Sequence, residues 1–281
     1  MNYFSYHTHN DYCDGKLPLE AYVLKAIDLG LEHIGFSSHA PILYPVDWSM
    51  SEKDVDRYVK DINLLKEKYA DQINIYKSME IDYVPGVTRS FKAWKKELNL
   101  DYTIGSVHLV KAESEKELWV LDGPDINYTS GLKTLFDGDI KKAVRAYFYQ
   151  VMEMIEVQQP DIIGHIDKVK MNNKSRFFTE EESWYRKLVM ECLDVVEKSK
   201  AVVEVNTRGI YKKKTADLFP DGYFLKECCK RNIPVTISSD AHHPDELLLG
   251  FDYALGRLKQ IGFKSIRIFK EGDWMDQNIK D

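Results

Sequence analysis

The sequence predicts an α/β protein in which strand–helix units surround a parallel sheet, most simply as a single barrel. Seven short runs of β-branched and aromatic residues alternate with helical patterns, and this alternation is typical of parallel sheets. Later runs, such as residues 202–205 and 235–237, are apolar with few breaks, as expected for strands covered on both faces. A chain of 281 residues, 44% of them hydrophobic, is long enough to bury the core of such a fold.

The strands are predicted from apolar runs of suitable length that are bounded by turn-forming residues. An eighth run, at residues 265–269, is a candidate to close or flank the set. The seven predicted parallel strands cover residues 3–9, 33–38, 73–82, 102–108, 162–166, 201–206 and 234–239.

Four helices have recognisable ends. The first should begin at Pro18, because the missing N–H of proline is not needed there, and should stop at Gly30. Ser51 is expected to cap the second helix, and a third should cover residues 139–158. Residues 179–182 have the spacing of a capping box that opens a fourth. The apolar stripes of these helices are interpreted as core.

A single domain spanning residues 1–281 is expected, because the chain has no internal repeat, low-complexity tract or linker-like stretch. The exception to short connections is the segment from about 111 to 138. A connection of about 28 residues within a barrel is usually a lid or a binding loop, although an ordinary surface excursion is the alternative.

The composition limits the partners. A formal net charge of −6 argues against nucleic-acid binding, which needs a basic face. No apolar run approaches the length of about 18 residues that spans a bilayer, and no signal peptide precedes the first strand, so a cytoplasmic protein without a membrane partner is expected. The four cysteines show no CxxC spacing and are expected to be reduced.

Candidate functional residues collect at the carboxyl ends of the predicted strands, the face where barrels assemble active sites. A lone histidine there is more often structural, but several together with Glu80 and Asp240 predict a polynuclear metal site. His33 precedes its strand and is interpreted as structural, whereas His243 is ambiguous. The six strand-end histidines, of the eight in the chain, are His7, His9, His39, His108, His165 and His242.

These residues resemble the polymerase-and-histidinol-phosphatase (PHP) superfamily. The metal pattern alone is specific only to the superfamily. Four further stretches, at residues 138–144, 160–167, 204–209 and 238–244, look like the monofunctional histidinol-phosphate phosphatase branch. The metal pattern consists of His7-x-His9, His39, Glu80, His108, Gly164-His165 and Asp240-x-His242.

The resemblance implies a distorted, TIM-like (β/α)7 barrel with a trinuclear centre that binds two or three divalent ions of zinc, manganese or iron. If the family's ligands are transferred to the matching positions of this chain, the first ion would be held by His7, His9, Glu80 and Asp240. Glu80 would also bridge to a second ion, held by His108 and His165. The third ion would take His39, His242 and an acid from the loop after His9, either Asp14, which is preferred, or Asp11.

The implied activity is hydrolysis of a small phosphate ester, L-histidinol phosphate, to L-histidinol and phosphate in histidine biosynthesis, by a metal-bridged hydroxide. Glu80 and Asp240 would be catalytic, with Asp240 taking the proton. Arg208 is expected to clamp a phosphate oxygen, and Lys168 and Lys170 are weaker candidates. Acids available to recognise the substrate amine and imidazole are Glu113, Glu115, Glu117, Asp122 and Asp125.

The same residues are compatible with three other classes of protein. The nearest is another PHP phosphoesterase, directed at phosphotyrosine or nucleotides. A metal-dependent amidohydrolase could also use a His-x-His strand, but would usually need a lysine at the end of a central strand, and none is obvious. An inert metal-binding module should have lost ligands, whereas this chain retains nearly the full set.

Overall fold

Two parallel sheets form the centre of the computed structural model, which describes residues 3–112 and 117–279. The three-stranded sheet has the order β1 (Phe4–Ser5), β2 (His33–Phe36) and β3 (Asn74–Lys77). The five-stranded sheet contains β4 (Glu80–Asp82), β5 (Ile104–Ser106), β8 (Ile162–Ile163), β9 (Val202–Asn206) and β10 (Val235–Ser238), in the order β10-β9-β8-β5-β4. Two antiparallel pairs join β6 (Leu109–Lys111) to β7 (Leu118–Val120), and β11 (Ser265–Lys270) to β12 (Asp273–Asn278).

The α/β prediction is confirmed, and every strand predicted as parallel pairs in parallel. The predicted strand at residues 73–82 forms two strands, β3 and β4, because the chain changes its neighbouring strand there. The N–H of Ser78 still bonds to Phe36 in β2, whereas the carbonyl of Met79 accepts from Ile104 in β5. Two isolated parallel bridges, Thr8 with Ala241 and His39 with Glu80, link residues of one sheet region to the other.

Nine helices lie between the strands in the part of the chain that the structure describes. No helix among these residues is long and apolar enough to cross a membrane. Buried apolar side chains on their inner faces pack against the sheets in one main core. In chain order the helices are α1 (Leu19–Asp28), α2 (Val55–Lys68), α3 (Phe91–Leu98), α4 (Asp125–Leu135), α5 (Ile140–Gln158), α6 (Ser183–Lys198), α7 (Arg208–Tyr211), α8 (Gly222–Lys230) and α9 (Phe251–Ile261).

The observed helix ends agree only in part with those predicted from the sequence. Asp139 caps α5, because its side chain accepts from the N–H groups of Lys141 and Lys142. The prediction for Ser51 was wrong: it precedes the 3-10 turn Glu52–Asp54 and makes no side-chain cap bond. In the segment before α6 only half of the capping box is present, the bond from the Thr179 N–H to Glu182 at 3.0 Å.

The segment at 111–138 is more structured than a loop. Its described part contains β7 and α4, which pack together through Trp119. The indole of Trp119 is fully buried and donates to the carbonyl of Tyr128 at 2.9 Å. Gly131 permits this approach, since a Cβ atom there would lie 2.4 Å from the indole ring. The segment therefore packs into the main core through Trp119 and Tyr128, and its role as a lid stays a prediction.

The eighth predicted strand does not join the parallel set. It is β11, which pairs antiparallel with β12 over Ser265–Lys270. The hydroxyl of Tyr6 fixes this hairpin against the sheets, donating to the carbonyl of Phe269 at 2.8 Å and accepting from its N–H at 3.0 Å. Aromatic contacts of Tyr6 with Tyr102 and Trp274 continue the packing.

Candidate metal centre

His7 and His9 follow β1 and point to the same side, as their spacing predicts. Thr8 between them is held by its bridge to Ala241 and by a 2.9 Å bond from its N–H to the hydroxyl of Ser37. The two imidazole centroids lie 5.0 Å apart, and both side chains are buried.

The expected ligands converge at the carboxyl ends of the parallel strands. Asp14 belongs to this cluster, whereas Asp11 is exposed and lies outside it. His33 is buried in β2 against Tyr76, and His243 faces Asp245 on the surface. Three groups have donor atoms that all lie within 4.8 Å of one another: His9 with Asp14, His39 and His242; His7 with His9 and Asp240; and His39 with Glu80 and His108.

Glu80 lies at the centre of this cluster. One carboxylate oxygen, Oε2, is 3.2 Å from His7 Nε2, 3.4 Å from His9 Nε2 and 3.2 Å from His39 Nδ1. The other, Oε1, is 3.0 Å from His165 Nε2 and 3.8 Å from His108 Nε2. The two histidines near Oε1 are themselves 3.2 Å apart. Glu80 therefore faces two different sets of imidazoles, as a bridging carboxylate must.

Several buried atoms of the cluster that could bind a metal have no hydrogen-bond partner among the described residues. Buried polar atoms are nearly always satisfied, because leaving one unpaired costs about 1–3 kcal/mol. The unpaired atoms include His7 Nε2, His9 Nε2, His39 Nδ1 and Asp14 Oδ1. Imidazoles and carboxylates that converge with free atoms are suited to divalent first-row metals. The residues present thus fit divalent metal binding.

Two carboxylates outside the cluster orient its histidines. Glu204 lies 2.5 Å from Nδ1 of His7, and Asp82 lies 2.7 Å from Nδ1 of His108. Such bonds fix the tautomer of an imidazole and leave its other nitrogen directed at the cluster. Burial opposes protonation of His7, but Glu204 and Glu80 outweigh it and hold its pKa well above the usual value. Burial likewise opposes protonation of His108, yet Asp82 raises its pKa to about 9.

The roles of these supporting residues were not predicted from the sequence. Ser106 donates to Oε1 of Glu80 at 2.5 Å, and Asn206 donates to Oδ2 of Asp240 at 3.1 Å. A signal was available, because residues two apart in a strand face the same side. Asp82 is two residues from Glu80, and Asn206 is two from Glu204.

A cavity of about 840 Å³ opens onto the cluster. Arg208 lines it, with Nη1 donating to the carbonyl of Asp240 at 2.8 Å. The Nε and Nη2 atoms of Arg208 have no hydrogen-bond partner among the described residues, so they are available to a ligand. Lys168 also lines the cavity and pairs with Asp122 at 3.0 Å.

Only some of the weaker candidates for phosphate and substrate binding line this cavity. Lys170 does not line this cavity, because its ammonium group is buried 2.6 Å from Asp167. Asp122 lines the cavity, whereas Asp125 pairs with Arg176. Glu117 is exposed outside the cavity. Two further acids, Glu113 and Glu115, lie outside the described residues.

The fold and the cluster together define a member of a known family. The sequence model of the PHP domain family matches residues 5–208 of this chain. The chain therefore belongs to the PHP domain family. The histidinol-phosphatase of Bacillus subtilis is 24% identical over 262 residues, which cover 89% of this chain and 97% of that protein.

Two solved structures share the fold. A protein of Listeria monocytogenes assigned as a histidinol phosphatase has a TM-score of 0.77 at 23% identity, over 89% of this chain and 99% of that one. The histidinol phosphate phosphatase of Lactococcus lactis, solved with zinc, L-histidinol and phosphate, has a TM-score of 0.68 at 20% identity, over 97% and 98% of the two chains.

Proposed function

We propose that this protein is a metal-dependent phosphomonoesterase that hydrolyses L-histidinol phosphate to L-histidinol and phosphate in histidine biosynthesis. The observation that carries the proposal is the buried cluster of imidazoles and carboxylates around Glu80, which opens into a cavity lined by Arg208 and Lys168. Full-length similarity to a histidinol-phosphatase supports the choice of substrate.

The proposed cofactors are two or three divalent ions of zinc, manganese or iron. When bound, such ions acidify a water molecule and neutralise charge on phosphoryl oxygens. The zinc in the Lactococcus lactis structure and the three groups of donor atoms support this part of the proposal. The proposed ligands are His7, His9, Asp14, His39, Glu80, His108, His165, Asp240 and His242.

The residues of the chain have separate proposed roles. Arg208 clamps the phosphate through Nε and Nη2, and the ammonium group of Lys168 neutralises a further phosphoryl oxygen. Asp240 accepts the proton of the attacking water at a carboxylate oxygen. Although burial opposes its ionisation, His7 and Arg208 hold the pKa of Asp240 well below its usual value, so it is a carboxylate when substrate arrives.

We further propose a single domain, residues 1–281, with the strands closed into a distorted (β/α)7 barrel. The bridge of Thr8 with Ala241 supports closure, since it connects the ends of the edge strands β1 and β10. The bridge of His39, which follows the central strand β2, with Glu80 in the edge strand β4 is a second link between the two sheets. The absence of a nucleic-acid partner and a cytoplasmic location stay predictions from the sequence.

The proposal is tested by phosphate release from histidinol phosphate after chelation and re-addition of manganese, iron or zinc. Phosphotyrosine peptides and nucleotides serve as competing substrates. Chelation, His9→Ala and Asp240→Asn should each abolish hydrolysis, whereas His243→Ala, at a half-buried position outside the cluster, should leave most of it. Catalytic efficiency on histidinol phosphate no better than on the other esters would refute the substrate assignment.

A further inference from the structure

Trp48 lies at the edge of the large cavity, in the connection between β2 and α2. Its half-buried side chain packs on a small apolar cluster that includes Val84 and Leu109. The indole Nε1 donates to Oδ2 of Asp82 at 3.4 Å, while Oδ1 of the same carboxylate bonds to His108. Because Asp82 holds both side chains, Trp48 has a defined position relative to the metal cluster.

Asp47 lines the same cavity and is exposed. Its carboxylate has no hydrogen bond or ion pair to any residue in the ranges 3–112 and 117–279. No lysine or arginine of these ranges lies over the indole ring of Trp48 either. Both an acidic group and an aromatic face are thus free to contact a ligand.

The cationic wall of the cavity lies elsewhere. Arg208 follows β9 and bonds to the carbonyl of Asp240, and Lys168 follows β8. Trp48 is attached instead to Asp82 in β4, and both β5 and β8 lie between β4 and β9 in the sheet. The cavity therefore has cationic groups suited to a phosphate at the ends of β8 and β9, and a different part of its wall carries Trp48 and Asp47.

We infer that Trp48 and Asp47 form the subsite that recognises a cationic, planar organic group of the phosphomonoester. This inference rests on the proposed function and deepens it. A cation over the face of a tryptophan is attracted by the ring quadrupole, and a flat heteroaromatic ring stacks on the same face. Histidinol carries both a protonated amine and an imidazole, so Trp48 would stack on the ring while Asp47 pairs with the ammonium.

The test compares histidinol phosphate with glycerol phosphate, whose organic part is uncharged and not aromatic. Trp48→Leu and Asp47→Asn should each raise KM for histidinol phosphate about tenfold. Trp48→Phe should restore most of the wild-type KM for histidinol phosphate. Values of kcat/KM for glycerol phosphate should stay within about twofold of the wild type in Asp47→Asn, since the phosphate-binding residues are untouched. In Trp48→Leu, which also loses the bond to Asp82, they should fall much less than the values for histidinol phosphate. Equal losses on both substrates, or an unchanged KM for histidinol phosphate, would overturn the inference.

Matched controls are available in the same loop and on the surface. Tyr44→Leu removes an aromatic ring from the same apolar cluster without lining the large cavity, and Asp71→Asn removes an exposed charge far from it. Neither should change KM for histidinol phosphate. A Tyr44→Leu effect as large as that of Trp48→Leu would assign the loss to loop disruption and overturn the inference.

Calorimetric binding of L-histidinol separates this inference from the proposed function, because it requires no hydrolysis. Wild-type protein should bind L-histidinol, and Trp48→Leu should weaken binding about tenfold. If the wild type shows no kinetic preference for histidinol phosphate but this binding pattern is found, only the proposed function fails. If the preference is found but Trp48→Leu binds L-histidinol normally, only the subsite fails.

Discussion

Glu204 connects two histidines of the cluster. Its Oε1 lies 2.5 Å from His7 Nδ1, and its Oε2 accepts from the backbone N–H of His165 at 2.7 Å. The hydroxyl of Ser238 donates to the same Oε1 atom. Both oxygens therefore act as acceptors, and a neutral amide would place a donor against another donor.

Glu204→Gln is expected to lower metal affinity roughly 10- to 100-fold, because the amide orients His7 poorly. The measurement is a metal titration of chelated protein followed by elemental analysis. Glu67→Gln, at an exposed position on α2, is the matched control and should bind metal normally. A folded Glu204→Gln protein with unchanged metal affinity would contradict the orienting role.

For individual residues, the sequence predicts the histidines of the site well, but it predicts the residues that hydrogen-bond to them less well. Positions such as His39 and His108 can be predicted, because the carboxyl ends of parallel strands share one edge. Glu204 was assigned to a buried strand without a role. A carboxylate in a strand covered on both faces needs a buried partner, and this requirement was the unused signal.

Among the helices, α5 offers a direct test of capping. Asp139→Ala should destabilise the protein by about 1 kcal/mol, because the N–H groups of Lys141 and Lys142 lose their acceptor. Urea unfolding followed by circular dichroism measures the change. Ser51→Ala is the control, since Ser51 makes no cap bond and its loss should have little effect. A larger loss for Ser51→Ala would show that the local geometry described for both helices is wrong.

For the strands and helices, the pairing partners were the hardest feature to predict from the sequence. Apolar alternation identifies β11 as a strand but contains no information about direction, so its antiparallel pairing with β12 could not be predicted. The segment at 111–138 was difficult for another reason. Its short strand and helix are stabilised by contacts of Trp119 rather than by a strong local pattern.

For the whole molecule, metal binding should stabilise the fold, because donors come from both sheet regions. Chelation should lower Tm by several degrees, since a ligand at 100 times its Kd contributes about 2.7 kcal/mol per site. Differential scanning calorimetry at fixed pH, with and without chelator, measures the shift. Asp240→Asn should show a smaller shift than the wild type. Complete metal removal without a change in Tm would contradict the coupling.

The bridge between Thr8 and Ala241 also constrains how the site is made. It joins the first histidine pair to the strand end that supplies Asp240 and His242, and almost the whole described chain lies between them. A nascent chain on the ribosome therefore exposes His7 and His9 long before their partners emerge. Because domains fold as units, assembly of the complete set of donors must wait until Asp240 and His242 have also been synthesised.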